Sequence, residues 1–349
     1  MEDTLTQIGS GNRYFSCCDL RSGYWQCEIK ESDRYKTSFQ WGGRSYAFKR
    51  LPFGYRCSGN IFSRIVNQIL DSSPTRERML SYIDDVVCFE KSFSAYFKVL
   101  ENFFISLRKF NAKLKSDKCS LLQKQAHFLG RIIDSRGIQP DPAQVTAIRE
   151  MKPPTSQKEL LSLIGSLNWI RVFLETKFGD KISTGCFSHR MVAINEVRNA
   201  ANKDKKFRWT NEADIALKDI QMRMSTTPVV SFPNTNHMFH LYTDASLYAV
   251  VGILIQEYGG RVHLLSAISH TFTRAERRWN VSEKEMYGIL WCCERLEKLL
   301  KGRFFHVHTD QRCLVYLNKR IFKNSKIHRW QTRIRFLRVV YKGKRKYFR

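Results

Sequence analysis

The segment Tyr82-Ile83-Asp84-Asp85-Val86-Val87 sets two adjacent carboxylates between apolar runs. Apolar residues on both sides of a polar pair read as two strands joined at a tight hairpin tip. Side by side, the two charges repel unless a cation holds them. Asp is also an ordinary turn residue, so the pair alone is compatible with simple turn chemistry. A second strand-like run, Tyr14-Phe15-Ser16-Cys17-Cys18, ends on Asp19 and leads into Leu20-Arg21-Ser22-Gly23-Tyr24. Three aspartates on adjacent strands are the minimum for two hard divalent ions working on a phosphoryl group.

The surrounding sequence supplies candidate elements. A helix is predicted from Ser58 to Leu70 on the spacing of Ile61, Ile65 and Ile69, and another over 92–111, with Phe93, Phe97, Leu100, Phe104 and Leu107 on one stripe. A hairpin is predicted from Phe128 to Ile138, with Asp134-Ser135-Arg136-Gly137 as its turn. Pro153-Pro154-Thr155 breaks the chain, and Ser156-Gln157-Lys158-Glu159 opens a helix carrying Leu160, Ile164, Leu167 and Leu174. Residues 175–210 are polar and poorly periodic, and a domain boundary is placed there.

A second alternating region follows. Met238 to Tyr242 reads as a strand closed by Thr243-Asp244, and Ala249 to Gln256 as its hairpin partner. A helix is predicted from Ser282, and a strand from Phe304 to His308 ending at Thr309-Asp310. This β-β-α-β order fits an α/β domain with acidic residues at strand ends. Asp244, Glu285 and Asp310 form a second carboxylate set, yet each has a local explanation. Asp244 closes a strand, Ser282 to Glu285 spells a capping box, and Asp310 could cap a helix opening at Gln311-Arg312.

Charge narrows the partners. Lys and Arg number 59 against 32 Asp and Glu, a net +27. Such an excess points to a polyanion, because basic side chains gain affinity for nucleic acid by releasing condensed counterions; an acidic membrane surface is the rival. The last 39 residues hold fourteen Lys and Arg and no acidic residue. No apolar run approaches a membrane span, and Met1-Glu2-Asp3-Thr4 lacks the layout of a signal peptide, so an intracellular protein is expected. The ten cysteines contain no C-x-x-C. The adjacent pairs Cys17-Cys18 and Cys292-Cys293 read as small buried residues of a reducing compartment, and no structural zinc is expected.

Taken in order, Phe15-Ser16-x-x-Asp19-Leu20-x-x-Gly23-Tyr24, Leu51-Pro52-Phe53-Gly54, Tyr82-Ile83-Asp84-Asp85, Lys118-Cys119, Phe128-Leu129-Gly130, Gly137-Ile138 and Asp141-Pro142 resemble the reverse transcriptases of gypsy-type LTR retrotransposons, the Metaviridae. Thr243-Asp244-Ala245-Ser246, Glu283-Lys284-Glu285, Thr309-Asp310 and His328-Arg329-Trp330 resemble the ribonuclease H module that follows in that family. The resemblance implies an α+β fold: a right-hand polymerase palm and helical thumb, then an α/β ribonuclease H-like domain. It divides the chain into palm at 1–90, the rest of the palm with primer-grip hairpin and thumb at 91–180, a connecting segment at 181–235, and the ribonuclease H-like domain at 236–349.

The resemblance also implies roles. Asp19, Asp84 and Asp85 in one centre, and Asp244, Glu285 and Asp310 in another, would hold two Mg²⁺ or Mn²⁺ ions each. Tyr24 would gate against a ribose 2′-hydroxyl, Phe53 and Gly54 would shape the dNTP and template pocket, and Leu129-Gly130 would hold the primer terminus. The implied activity is RNA-directed DNA synthesis with cleavage of RNA in RNA–DNA hybrids, ahead of DNA integration, in a cytoplasmic retrotransposon particle. Partners would be RNA template, DNA primer, hybrid and dNTPs, with no membrane; a homodimer stays open. Three departures leave a catalytically impaired or repurposed nucleic-acid-binding remnant as the alternative. Most of the fingers and a fourth ribonuclease H carboxylate have no counterpart, as if the chain were truncated at both ends. Ala249 and Val251 stand where the family favours glycine.

Overall fold

The computed structural model describes residues 5, 8, 9, 11–174, 187–204, 206–224, 229–309, 325–335 and 339–343. The chain divides into two compact units, Met1–Arg136 and Gly137–Arg349. No described helix is long and apolar enough to cross a membrane.

The first unit runs β1 (Tyr14–Asp19), an exposed hairpin of β2 (Phe39–Trp41) and β3 (Arg44–Tyr46), α1 (Ser58–Asp71), β4 (Met79–Tyr82), β5 (Asp85–Glu90), α2 (Phe93–Lys109), β6 (Ser120–Gln123), β7 (Ala126–Phe128) and β8 (Arg131–Ile133). Four strands form an antiparallel sheet in the order β4-β5-β1-β6. Strand alternation sends Cys18, Val86 and Cys88 toward α1 and α2, where they join one apolar core. Phe15, Cys17 and Asp19 therefore occupy the other face.

Both helices turn differently from their predicted stripes. In α1 the buried positions are Phe62, Val66, Ile69 and Leu70, one step round from Ile61 and Ile65, which are half-buried. Gly23 sets this rotation: a Cβ there would come within 2.5 Å of the Phe62 ring, so only glycine lets that ring enter. In α2 the core takes Tyr96, Val99, Leu100, Phe103 and Leu107, while Phe93, Phe97 and Phe104 are exposed. The Tyr96 hydroxyl explains the choice. It is hydrogen-bonded with the Ser16 hydroxyl and accepts from Leu122 N at 3.3 Å, so a polar tip is satisfied under the sheet.

The second unit runs β9 (Ile138–Pro140), α3 (Pro142–Arg149), α4 (Gln157–Leu174), α5 (Phe187–Asp204), α6 (Asn211–Arg223), β10 (Phe239–Ala245), β11 (Ala249–Tyr258), β12 (Arg261–Thr271), α7 (Val281–Arg295), β13 (Phe305–Thr309), α8 (Ser325–Arg335) and β14 (Val339–Gly343). Helix α5 falls inside the stretch that looked aperiodic. Its buried Phe187, Met191, Ile194, Val197 and Ala201 do recur at helical spacing. They are diluted by intervening Arg, Asn and His, which weakens the sequence signal. Strands β12 and β14 give the sheet five strands, two more than predicted. Leu264 to Ser269 are buried in succession, so the alternation that marks a half-buried strand is missing.

The sheet order is β12-β11-β10-β13-β14. Pairs β12–β11 and β11–β10 are antiparallel, while β10–β13 and β13–β14 are parallel. Phe239, Leu241, Phe305 and Val307 pack with Met286, Ile289 and Cys293 of α7 and with Ile327, Trp330 and Ile334 of α8. Cys292 and Cys293 are fully buried thiols, in keeping with the expectation for that pair. Ala249 and Val251 are also fully buried, so the extra bulk at these positions is absorbed into the core. The approach of α7 to β11 depends on two glycines. A Cβ on Gly252 would collide with Cys292 Sγ, and one on Gly288 would lie 2.5 Å from Val250 Cγ2.

Gly288→Ala is expected to destabilise the second unit by about 1–3 kcal/mol, the usual penalty of overpacking. Gly165, in α4, has open space where a Cβ would go. Gly165→Ala is expected to stabilise by about 0.5–1 kcal/mol. Thermal melts followed by circular dichroism check the opposite signs.

Candidate active sites

The first site is made by backbone register. Asp19 ends β1 directly opposite Asp85, the first residue of β5, and Asp84 sits in the turn between β4 and β5. Leu20 N donates to Asp84 O at 2.9 Å, and Lys115 N to Asp19 O at 2.9 Å, which fixes both acidic segments. The turn contains Ile83 at φ 57°, a left-handed conformation that a β-branched residue rarely takes. The three aspartates are half-buried. Burial, and then the charges of Asp84 and Asp19, raise the Asp85 carboxyl above its usual range, with Lys118 acting in the opposite direction. Lys118 Nζ lies 3.4 Å from Asp19 Oδ2, 99 positions along the chain, a pairing that local sequence could not reveal. Three carboxylates brought to this end of the sheet by register, with the charges of Asp84 and Asp19 acting on Asp85, are oxygen donors of the kind that a hard divalent ion takes.

Burial, with a smaller contribution from the Asp85 charge, pushes the neighbouring Cys17 thiol up to about 12, so it stays protonated and inert. Its Sγ donates to His127 O at 3.4 Å, which ties β7 to β1. Strands β7 and β8 form a tight hairpin whose turn residues, Leu129 (φ 54°) and Gly130 (φ 72°), both take the left-handed conformation. Asp134 accepts from Arg136 N at 2.8 Å, closing a bend at the position predicted for a turn.

Tyr24 is placed by the short 3₁₀ turn Gly23–Gln26. Its ring meets Phe53 at 5.1 Å and, edge-on, Phe62 at 5.2 Å between centroids, so it is wedged on two sides. Phe53 is 62% exposed and also touches Trp25. Gly54 follows at φ 81°. Tyr24, Phe53 and Gly54 thus share one aromatic ledge.

The second site lies where β10 meets α7. Asp244 and Glu285 are 6% and 3% exposed. Glu285 Oε1 accepts from Ala245 N at 3.1 Å, which places its carboxylate at the end of β10 beside Asp244. The predicted capping box at Ser282–Glu285 does not form. The box is Asn280–Glu283, with Glu283 N donating to Asn280 Oδ1 at 2.8 Å and Asn280 N to Glu283 Oε2 at 3.0 Å. Two turns of a capping pattern overlap in the sequence, and packing selects the earlier one, which leaves Glu285 to face the sheet. Strand β13 ends at Thr309; the third predicted member, Asp310, lies outside the described residues. Two nearly enclosed carboxylates with oxygen donors only also suit a hard cation.

Comparison with known proteins gives two family matches. Residues 2–133 match the family described as reverse transcriptase (RNA-dependent DNA polymerase), and residues 234–335 the RNase H-like domain found in reverse transcriptase. The chain is 32% identical over 333 residues to the retrovirus-related Pol polyprotein of the Drosophila melanogaster transposon opus, covering 95% of this chain and 33% of that protein. It is 31% identical over 336 residues to the Pol polyprotein of Drosophila melanogaster transposon 297, covering 96% and 30%. The chain thus spans about a third of the length of these relatives. Among solved structures, a foamy viral protease-reverse transcriptase in complex with RNA/DNA hybrid superposes with TM-score 0.78 at 21% identity, covering 98% of this chain and 45% of that one. A foamy viral complex with double-stranded DNA superposes at 0.80 and 21% identity, covering 98% and 59%. These two show the shared fold.

A raised Asp85 pKa carries a definite sign. Below the ordinary value of 3.8 the group is protonated whether the chain is folded or not, and it contributes nothing. As the pH rises from there through the raised folded pKa, ionisation costs folding stability, and the cost is complete above it. Asp85→Asn should therefore raise the melting temperature at pH 7 but not at pH 3.5. Added Mg²⁺ should raise the melting temperature of the parent by more than that of Asp85→Asn, which keeps Asp244 and Glu285 of the second site unchanged. Equal Mg²⁺ shifts in the two proteins would remove Asp85 from the cation site.

Proposed function

This chain belongs to the reverse transcriptase–RNase H family of LTR-retrotransposon Pol polyproteins, and from that premise we propose that it copies RNA into DNA and cleaves the RNA strand of the resulting hybrid. The observation that carries the reading is the register pair Asp19–Asp85 with Asp84 at the adjoining turn. Asp19, Asp84 and Asp85 would hold two Mg²⁺ or Mn²⁺ ions in the first unit, and Asp244, Glu285 and Asp310 another two in the second. When bound, such ions make a hydroxyl or water nucleophilic and neutralise charge on the phosphate under attack.

The residues of the chain do the rest. Lys118 orients the Asp19 carboxylate from 3.4 Å. Tyr24, wedged by Phe62 and Phe53, is a wall that a 2′-hydroxyl would strike, so deoxynucleotides are preferred. Phe53 and Gly54 shape the floor of the same pocket. The Leu129-Gly130 turn brings backbone close to the primer end. The exposed rings of Trp25, Trp41 and Tyr46, interspersed with Arg44 and Arg50, suit stacking on template bases. In the second unit, Ala245 N holds Glu285 ready beside Asp244 for cleavage of a hybrid. The net charge of +27 supports RNA template, DNA primer and hybrid as partners, with dNTPs as the small substrates. On this reading the palm, the primer-grip hairpin and thumb, the connecting segment and the ribonuclease H-like domain follow one another at 1–90, 91–180, 181–235 and 236–349.

The test is primer extension on an RNA template with Mg²⁺ or Mn²⁺, run beside cleavage of a labelled hybrid. Asp84→Asn should lose extension by more than about 100-fold, since even outer-sphere groups at metal sites are worth 10–100-fold. It should keep its circular dichroism and its hybrid cleavage. Glu285→Gln should do the reverse. A parent that binds hybrid in a salt-sensitive way but extends nothing would establish a non-catalytic remnant instead.

A further inference from the structure

On the face of the second sheet opposite α7, three histidines converge. In the parallel register of β10 and β13, His240 stands beside His306 and Tyr242 beside His308. Alternation sends Phe239, Leu241, Phe305 and Val307 into the core, so these four polar rings share the other face. One ring nitrogen from each histidine lies within 4.8 Å of the other two. His240 Nδ1 and His308 Nε2 are already 3.1 Å apart. Tyr242 stacks flat on His308 at 4.1 Å and limits how far that ring can swing. His308 is buried, whereas His240 and His306 are half-buried, which leaves the group a side open to ions.

We propose that His240, His306 and His308 form a site for a divalent transition-metal ion of the Zn²⁺ class, separate from both carboxylate centres. The donor set decides the class. Imidazole nitrogen suits Zn²⁺, Ni²⁺ and Cu²⁺, whereas Mg²⁺ demands oxygen. Ligand bonds of about 2.0–2.1 Å need donors a little over 3 Å apart. The His240–His308 pair meets that spacing, and side-chain rotation of half-buried His306 closes the rest. Three histidines leave a fourth tetrahedral position for water. An ion held there cross-ties β10 to β13, the strand that carries Asp244 to the strand that leads to Asp310, and so fixes their register. The pattern escapes a motif search because two of the ligands, His240 and His308, are 68 positions apart. Only the His306-Val307-His308 alternation is local.

The test is a Co²⁺ and Zn²⁺ titration of the full chain, stripped with chelator and held in excess Mg²⁺ to occupy the carboxylate centres. One equivalent of Co²⁺ should give the visible bands of a four-coordinate nitrogen-and-oxygen site, without a thiolate charge-transfer band. Zn²⁺ should displace it and raise the melting temperature. His240→Gln and His306→Gln should each weaken binding at least about tenfold, and the double variant should lose both the bands and the Zn²⁺-dependent melting shift. Circular dichroism in chelator confirms that the variants fold; if one does not, the parent spectrum decides. No four-coordinate bands, a thiolate band, or folded variants that bind as tightly as the parent would overturn the site.

Discussion

Asp19 and Asp85 face one another across β1 and β5, and the backbone rather than any side-chain attraction keeps them there. Left to themselves, like charges on facing positions separate. Here each acidic residue is pinned by main-chain hydrogen bonds on its own segment, Leu20 N to Asp84 O and Lys115 N to Asp19 O. The sheet thus holds Asp85 in unfavourable electrostatics, which on the proposed reading a bound cation would relieve. That is the economy of a preorganised site: the polar groups are in place before the reacting charge arrives. The core under the sheet exists to make this rigid, from the Phe62 ring seated over Gly23 to the buried hydroxyl of Tyr96.

The second unit solves the same problem with a helix. Asn280 and Glu283 satisfy each other at the start of α7, so the helix begins in a defined place. Glu285, two residues on, is thereby aimed at the end of β10 rather than spent on a cap. Gly252 and Gly288 let α7 come close enough for Ala245 N to reach it. One acidic pair therefore divides its labour. Glu283 fixes the helix, and Glu285 faces the site.

Much of this was legible in the sequence because it is local. The hairpin around Asp84-Asp85, the β10–β11 pair and the start of α4 follow from alternation, turn residues and caps. What the sequence concealed depended on distant partners. Ile61 and Ile65 looked like the core stripe of α1 until Gly23 admitted Phe62. Phe93, Phe97 and Phe104 looked like the core of α2, yet Tyr96 enters because Ser16 and Leu122 can satisfy its hydroxyl. Ser282 to Glu285 and Asn280 to Glu283 fit the same capping pattern, and only packing tells them apart. Lys118 beside Asp19 left no local trace. The tight turn at Leu129-Gly130 was hidden because leucine is a poor turn former.

Ile83, at φ 57°, sits where glycine or asparagine would be comfortable. Such a residue costs on the order of 1–3 kcal/mol and persists only when its surroundings enforce it. A β4–β5 ribbon closed by that turn lacks the local preference that glycine or asparagine at this position would supply. Its other side is held by β1, which pairs Tyr14 with Glu90 across a long stretch of chain. Loop closure over that separation is slow. Asp19 and Asp85 are therefore brought face to face only by a pairing that is long-range in the chain.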